Sequence, residues 1–276
     1  MPAGTLFIVA TPIGNLDDAS ARCLQALRAA DVIACEDTRT TRTLLARHAV
    51  ATRTVSLHEH NERAAAVGLL ELLREGKDVA LVSDAGTPGV SDPGALLVEQ
   101  AHRAGIRVSP IPGPSAAAAA FSAAGFAADR FLFAGFLPAA RRARQKTLDT
   151  LDLPYPVILY EAPHRVLEAV EDLAARFGPQ REVVIARELT KKFEEIARMP
   201  LGDAPAWLRA GDHRQQGEFV LVVAAGEMQP AALADAQRTL DALLEVLSPS
   251  DAARVAARIT GLPKRELYRM ALARDK

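Results

Sequence analysis

Short apolar runs alternate with amphipathic stretches through most of the chain, a rhythm that predicts strands joined by helices and a parallel α/β sheet. In the first half the predicted strands are TLFIVA (5–10), DVIACE (31–36), TVSLH (54–58), VALVS (79–83) and IRVSPIPGPSA (106–116). Helical spacing fills the gaps at 19–30, with Asp18 as its expected cap, at 40–48, at 61–75 and at 95–105. Asn61 is the expected cap of the third of these, and Gly76 closes it. The small-residue run SAAAAAFSAAGFAA (115–128) is too short to span a membrane and predicts a tightly packed helix.

A second half begins near residue 120. Its predicted strands are RFLFAGFL (130–137), PVILYEA (156–162), EVVIARE (182–188) and EFVLVVA (218–224), with a helix over 165–178. GEMQPAA (226–232) reads as a linker. Beyond it, breaks at SPSD and TGLPK divide the pattern into three short helices, with Ser248 or Ser250 capping the second and Gly261 and Pro263 separating it from the third. Such a unit is helix-turn-helix-like.

Composition narrows the class. With 49% hydrophobic and 24% charged residues and a net charge of -1, the 276-residue chain reads as a soluble protein with room for two ordinary domains. The balanced charge does not advertise a nucleic-acid binder, so any such role rests on local patches. Two patches qualify: RRARQK (141–146), and residues 251–276, where seven Lys or Arg face three acids. A solvated loop or helix start explains the first equally well. Cys23 and Cys35 form neither a disulfide framework nor a metal spacing, and no metal site is expected. The N-terminal MPAGTLFIVATPIGN lacks the basic flank and cleavage pattern of a signal peptide, so a cytoplasmic location is expected and no membrane association.

The candidate chemistry lies in three Gly/Pro-rich loops at predicted strand ends: TPIGN (11–15), SDAGTPGVSDPG (83–94) and PIPGPSA (110–116). The middle loop fits neither a GK[ST] phosphate cradle nor GxGxxG. Its two acids, Asp84 and Asp92, would repel a triphosphate. A cationic or neutral ligand without phosphate, such as S-adenosylmethionine, suits acids, hydroxyls and approachable backbone better.

The blocks LFIVATPIGNLDD, IACEDTRTT, SLHEHNE, VSDAGTPGVSDPG, PIPGPSA, FAGFLP, YEAPHR and ARELTKKFEE occur in that order. The series resembles the ribosomal RNA small-subunit methyltransferase I family, within the tetrapyrrole methylase superfamily, over nearly the whole chain. The resemblance implies a two-domain α/β fold (1–118 and 119–228) with a small helical, helix-turn-helix-like unit at 233–276, and S-adenosylmethionine in the cleft between domains. It further implies a homodimer that methylates the ribose 2′-oxygen of one cytidine in the decoding region of 16S rRNA, within the small ribosomal subunit. Cofactor contacts carried over by motif are Pro12 and Gly14, then Asp84, Ala85, Gly86, Thr87 and Gly89, then Ser115 and Ala116. From the second domain come Tyr160, Glu161, Ala162, Arg187, Glu188 and Gly217.

Transfer to a hydroxyl needs a proton acceptor or a cation beside the developing alkoxide. Glu36 and Glu62 are the candidate bases, and Lys191 the candidate alkoxide or phosphate contact. Glu36 and Asp37 beside Arg39 and Arg42 are equally readable as a structural ion-pair network. Candidate RNA contacts are Arg39, His58, Asn61, Arg141, Arg142, Arg144, Lys192, Lys264 and Arg265. Aromatic residues make up only 5%, so recognition by shape is expected over extensive base stacking. The alternatives are a C-methyltransferase of tetrapyrrole precursors, and a non-catalytic assembly factor with a vestigial cleft.

Overall fold

The VIAC and VALV runs are apolar at every position, so each must be covered on both faces, as in the centre of a parallel sheet. The computed structural model, which describes residues 2–226 and 230–273, builds them that way. Strands β1 (Thr5–Val9), β2 (Val32–Cys35), β3 (Thr54–Ser56), β4 (Val79–Val82) and β5 (Arg107–Ile111) form one parallel sheet in the order β3-β2-β4-β1-β5. Helices α1 (Ala21–Ala29), α2 (Thr38–Arg47), α3 (Glu62–Arg74) and α4 (Ala95–Arg103) connect them. One face packs around Leu6, Leu69, Leu73, Leu81 and Leu97, the other around Val9, Leu27, Ile33, Leu45 and Val82. Each buried Leu or Val contributes about 1.5–3 kcal/mol.

Local capping differs from the sequence reading in two places. Ser20, not Asp18, caps α1, its hydroxyl accepting from Cys23 N at 3.0 Å, because 16–18 form a separate 3-10 turn capped by Asn15. Asn61 stands at the start of α3, yet its amide folds backward: Oδ1 accepts from His58 N at 2.8 Å and Nδ2 donates to the Ser56 carbonyl. Its hydrogen bonds shape the 56–61 turn.

The second sheet departs from the expected all-parallel pattern. Its order is β6-β7-β10-β8-β9, comprising β6 (Leu132–Phe136), β7 (Val157–Glu161), β8 (Glu182–Arg187), β9 (Glu195–Pro200) and β10 (Phe219–Val223). Only β6 and β7 run parallel; β10 pairs antiparallel with β7 and β8, and β9 antiparallel with β8. Strand β9 was invisible as an apolar run because it is a polar edge, which suits an edge exposed to water. Helix α5 (Ala116–Ala124) lays Ala117, Ala120 and Ala124 on Ile158, Val184, Val220 and Val222, the close approach that its small residues allow. Helices α6 (Arg141–Leu148), α7 (Val166–Phe177) and α8 (Ala204–Arg209) complete this half. The first sheet lies within residues 5–111 and the second within 132–223, and internal contacts group Met1–Ala224 as a single unit.

Ala225–Lys276 form a separate unit. There α9 (Pro230–Leu244), α10 (Pro249–Thr260) and α11 (Lys264–Ala273) pack around Leu240, Ala252, Ala256 and Leu267. Ser248 is the cap of α10, with Pro249 in its first turn and Gly261 ending it in the left-handed region. Of the expected linker, residues 227–229 lie outside the described residues and 230–232 already belong to α9.

RRARQK is the start of α6, and the helix divides its charges by face. Arg141 and Arg142 are exposed, whereas Arg144 is 1% exposed. Its Nε donates to Asp172 at 2.7 Å and an NH2 group to Glu168 at 3.2 Å. Arg144 is therefore a structural ion-pair partner and not an RNA contact. Glu62 is corrected likewise: its Oε1 accepts from Gly94 N at 2.9 Å and Leu96 N at 3.0 Å, covering orphan amides at the start of α4. That carboxylate is a helix cap and does not line the cavity described below.

Arg144→Ala leaves the buried Asp172 with only its 3.4 Å contacts to Arg141 and Gln145 and is expected to lower stability by about 3–5 kcal/mol in urea unfolding. A loss within the range of an exposed pair, under about 1 kcal/mol, would refute that assignment. Glu62→Ala removes the α4 cap and is expected to cost about 0.5–2 kcal/mol in the same measurement, with an unchanged melting curve counting against the cap.

Candidate active site

Three loops meet at the carboxyl ends of β1, β4 and β5. Thr11 N donates to the Gly86 carbonyl at 2.8 Å and Gly86 N returns a bond to the Thr11 carbonyl at 3.1 Å, an isolated bridge between the first and second loops. Thr87 Oγ1 donates to the Pro114 carbonyl at 3.2 Å, tying in the third. Gly86 sits at φ +81°, in the region where side chains are strained, so the bridge depends on glycine there.

The second sheet closes the site from the other side. Tyr160 Oη accepts from Ala117 N at 3.2 Å, using an orphan donor in the first turn of α5. Between these walls lies a cavity of about 320 Å³, lined by Ala85–Thr87, Val90–Asp92, Ser115, Ala116, Phe136, Tyr160–Pro163 and Glu218–Val220. Among these residues are three acids, Asp92, Glu161 and Glu218, and no lysine, arginine or histidine. The lining is otherwise apolar or hydroxyl-bearing, with the strand ends offering backbone groups.

Eight of the expected cofactor residues line this cavity: Ala85, Gly86, Thr87, Ser115, Ala116, Tyr160, Glu161 and Ala162. Pro12 and Asp84 instead border a smaller neighbouring cavity of about 50 Å³ with Thr11, Thr41 and Ser83. Asp84 Oδ1 there accepts from Asp37 N at 2.9 Å, fastening the start of α2. Gly14 borders an open cleft with Arg47, Thr190, Lys191 and Lys192. Gly89 lies in the middle loop at φ +77° but outside the lining. Glu188 and Gly217 form a support behind Glu218: Glu188 Oε1 accepts from Glu218 N at 2.9 Å, with Gly217 packed against the same side chain.

Arg187 is 5% exposed and paired with Glu195 at 3.7 Å, so it faces its own sheet. Lys191 bridges Glu188 at 2.8 Å and Glu218 at 3.1 Å. Burial opposes its charge, but these two carboxylates more than offset that and raise its pKa.

Three carboxyl groups at or near the cavity are held above the ordinary range. Glu36 is raised by burial first, then by Asp84, Asp92, Asp37 and Glu59. Asp92 is raised by burial and by Asp84, while the Ser83 hydroxyl works the other way. The buried Glu161 is raised mainly by burial, though Ala162 N bonds its Oε1 at 2.9 Å and Arg165 pairs with it at 3.1 Å. Asp37, by contrast, is pulled to about 2 by its bonds to Arg39, so the exposed Arg39 is already an ion-pair partner. His58, Arg142, Lys192 and, in the helical unit, Lys264 and Arg265 keep surface or partly exposed positions.

Sequence reasoning missed Val90, Ser91, Phe136 and Pro163, and noted Asp92 only as a loop acid; Glu218, Phe219 and Val220 belong to the strand 217–223 that it had closing the pocket beside Gly217. The signal for Ser91 and Asp92 was their place in a loop already singled out. For Phe136, none existed in strand periodicity.

A family model described as Tetrapyrrole (Corrin/Porphyrin) Methylases matches residues 5–205, and one described as RsmI C-terminal HTH domain matches 230–275. Proteins named ribosomal RNA small subunit methyltransferase I are similar throughout. The one from Pseudomonas aeruginosa is 48% identical, covering 100% of this chain and 99% of its own. The one from Escherichia coli O157:H7 is also 48% identical, with 98% and 95% covered. Among solved structures, a diphthine synthase superposes with a TM-score of 0.60 at 19% identity over 80% of this chain and 90% of its own. A uroporphyrin-III-C-methyltransferase from Thermus thermophilus gives 0.57 at 22% identity, over 80% and 94%. These last two likenesses show the fold alone. At nearly half of all positions identical across its full length, the chain belongs to the ribosomal RNA small subunit methyltransferase I family of the tetrapyrrole methylases.

Proposed function

We propose that this protein uses S-adenosylmethionine to methylate the ribose 2′-oxygen of one cytidine in the decoding region of 16S rRNA, acting as a homodimer on the small ribosomal subunit. The observation that carries the cofactor assignment is a cavity with three acids and no basic side chain. Such a lining favours a cationic, phosphate-free ligand and repels nucleotide phosphates. The donor set fits: Asp92, Glu161 and Glu218 complement sulfonium and ammonium charge, Ser115 and Thr87 offer hydroxyls to a ribose, and Gly86 admits close backbone approach. The family's shared name and the helical unit matched at 230–275 support RNA over a tetrapyrrole substrate.

When bound, S-adenosylmethionine supplies an electrophilic methyl group on its sulfonium. The chain's own residues then have two tasks. The loops and Tyr160 hold donor and hydroxyl in line, which supplies much of the rate through lost translational freedom. A carboxylate removes the hydroxyl proton. With Glu62 occupied as a cap, Asp92 takes this role in the cavity and Glu36 stands behind it, both with pKa values moved toward the working pH. Lys191 steadies Glu218 on the opposite wall and Glu188 behind it, and Arg142 and Lys192, with Arg141 beside its 3.4 Å contact to Asp172, present exposed charge to RNA phosphates.

Incubation with labelled S-adenosylmethionine and undermethylated small subunits is expected to place label on a cytidine ribose. Label in a porphyrinoid instead, or tight ATP binding in calorimetry with no uptake of the methyl donor, would refute the assignment. Asp92→Asn is expected to reduce transfer by about 10²–10⁴-fold. A carboxyl raised in the folded state holds more protons folded than unfolded, so it costs stability as pH rises above its unfolded value of about 3.9. The same variant should therefore melt higher than the parent at pH 8, with the gain vanishing in acid. Full-rate transfer would remove Asp92 as the base.

A further inference from the structure

Residues an odd number apart in a regular strand face opposite sides of the sheet. Phe133 and Phe136 do not. The register of β6 on β7 shifts between Phe133 and Gly135, so that Phe133 pairs with Ile158, Gly135 with Leu159 and Phe136 with Tyr160. Gly135 carries the irregularity at φ +67°, and a Cβ there would press on Ser91 Oγ at 3.1 Å. Bulges of this kind re-aim side chains beside functional sites. The result is that both phenyl rings meet Tyr160 edge-on, with centroids 4.8 Å and 5.7 Å away. Phe133 packs in the core beside α5. Phe136 lines the cavity and stays 55% exposed.

An exposed aromatic on the wall of such a cavity calls for an occupant. Its neighbour Tyr160 is pinned through Oη to Ala117 N, so Phe136 rests on a fixed support. We infer that Phe136 is the platform on which the nucleobase of the target nucleotide stacks, positioning its ribose hydroxyl over the cavity. With S-adenosylmethionine held by the loop residues of the cavity, the acceptor would enter from the solvent side, where this exposed ring stands. RNA bases splayed from a single-stranded segment are held by aromatic faces in this way. Stacking tolerates any base, so Phe136 orients the nucleotide without reading its sequence. The inference rests on the RNA substrate proposed above.

The test uses the full chain with Phe136→Ala and Phe136→Trp, and undermethylated small subunits as substrate. Phe136→Ala is expected to lower kcat/KM for the subunit by about 5- to 150-fold, the range of a lost base stack. Its Kd for S-adenosylhomocysteine and its melting temperature should stay as in the parent, and Phe136→Trp should restore most of the transfer. Unchanged kcat/KM would overturn the inference. So would a matching loss of S-adenosylhomocysteine affinity, which would put the ring on the cofactor's adenine, or an altered oligomeric state, which would put it in a subunit interface. A parent protein that transfers no label to the subunit would instead refute the RNA substrate itself, and this inference with it.

Discussion

Two backbone hydrogen bonds between Thr11 and Gly86 hold the site together. Without them the loops after β1 and β4 would be separate crossings over the edge of a parallel sheet. With them, the two strand ends act as one floor, and the bond from Thr87 to Pro114 extends it to β5. The constraint is conformational: the carbonyl and amide of one residue must both face Thr11 while the chain turns at positive φ, which glycine adopts at little cost. The acids of the middle loop sit on this floor, where burial and the neighbouring Asp84 raise the pKa of Asp92.

The second sheet supplies what a parallel sheet cannot. A parallel sheet opens all of its carboxyl ends to one side and leaves the ligand exposed above them. Here the alanine face of α5 brings another sheet close, and Tyr160 bonds to that helix's first turn. The antiparallel β10 between β7 and β8 sets Glu218 and Phe219 beside Tyr160 and Glu161, so strand ends of opposite direction share one wall. Charge follows the same division. Three acids line the cavity, Lys191 is tied to one of them at its rim, and Arg142 is turned outward.

Arg144 and Glu62 show why residue type and spacing alone misassign polar groups. Both stood in clusters that looked functional, a basic run and a crowded acidic turn. Their actual roles depend on Asp172, 28 residues away, and on Gly94 and Leu96, 32 and 34 residues away. No local pattern encodes such partners. Desolvation makes an unpaired buried charge costly, so the fold recruits whatever complementary group the topology brings near.

The sequence by itself determined the order of strands and helices in the first half, the three loops that build the site, the three-helix unit and the family. It could do so because apolar periodicity, capping residues and Gly/Pro turns act over a few residues. Only the tertiary structure decided the antiparallel pairing of the second sheet, the polar edge strand β9 and the bulge that turns Phe136 onto the cavity wall. It also decided which acids of several share the cavity with Tyr160. Strand direction, register and burial are fixed by contacts between segments far apart in the chain, and those contacts exist only once the sheets have closed on each other.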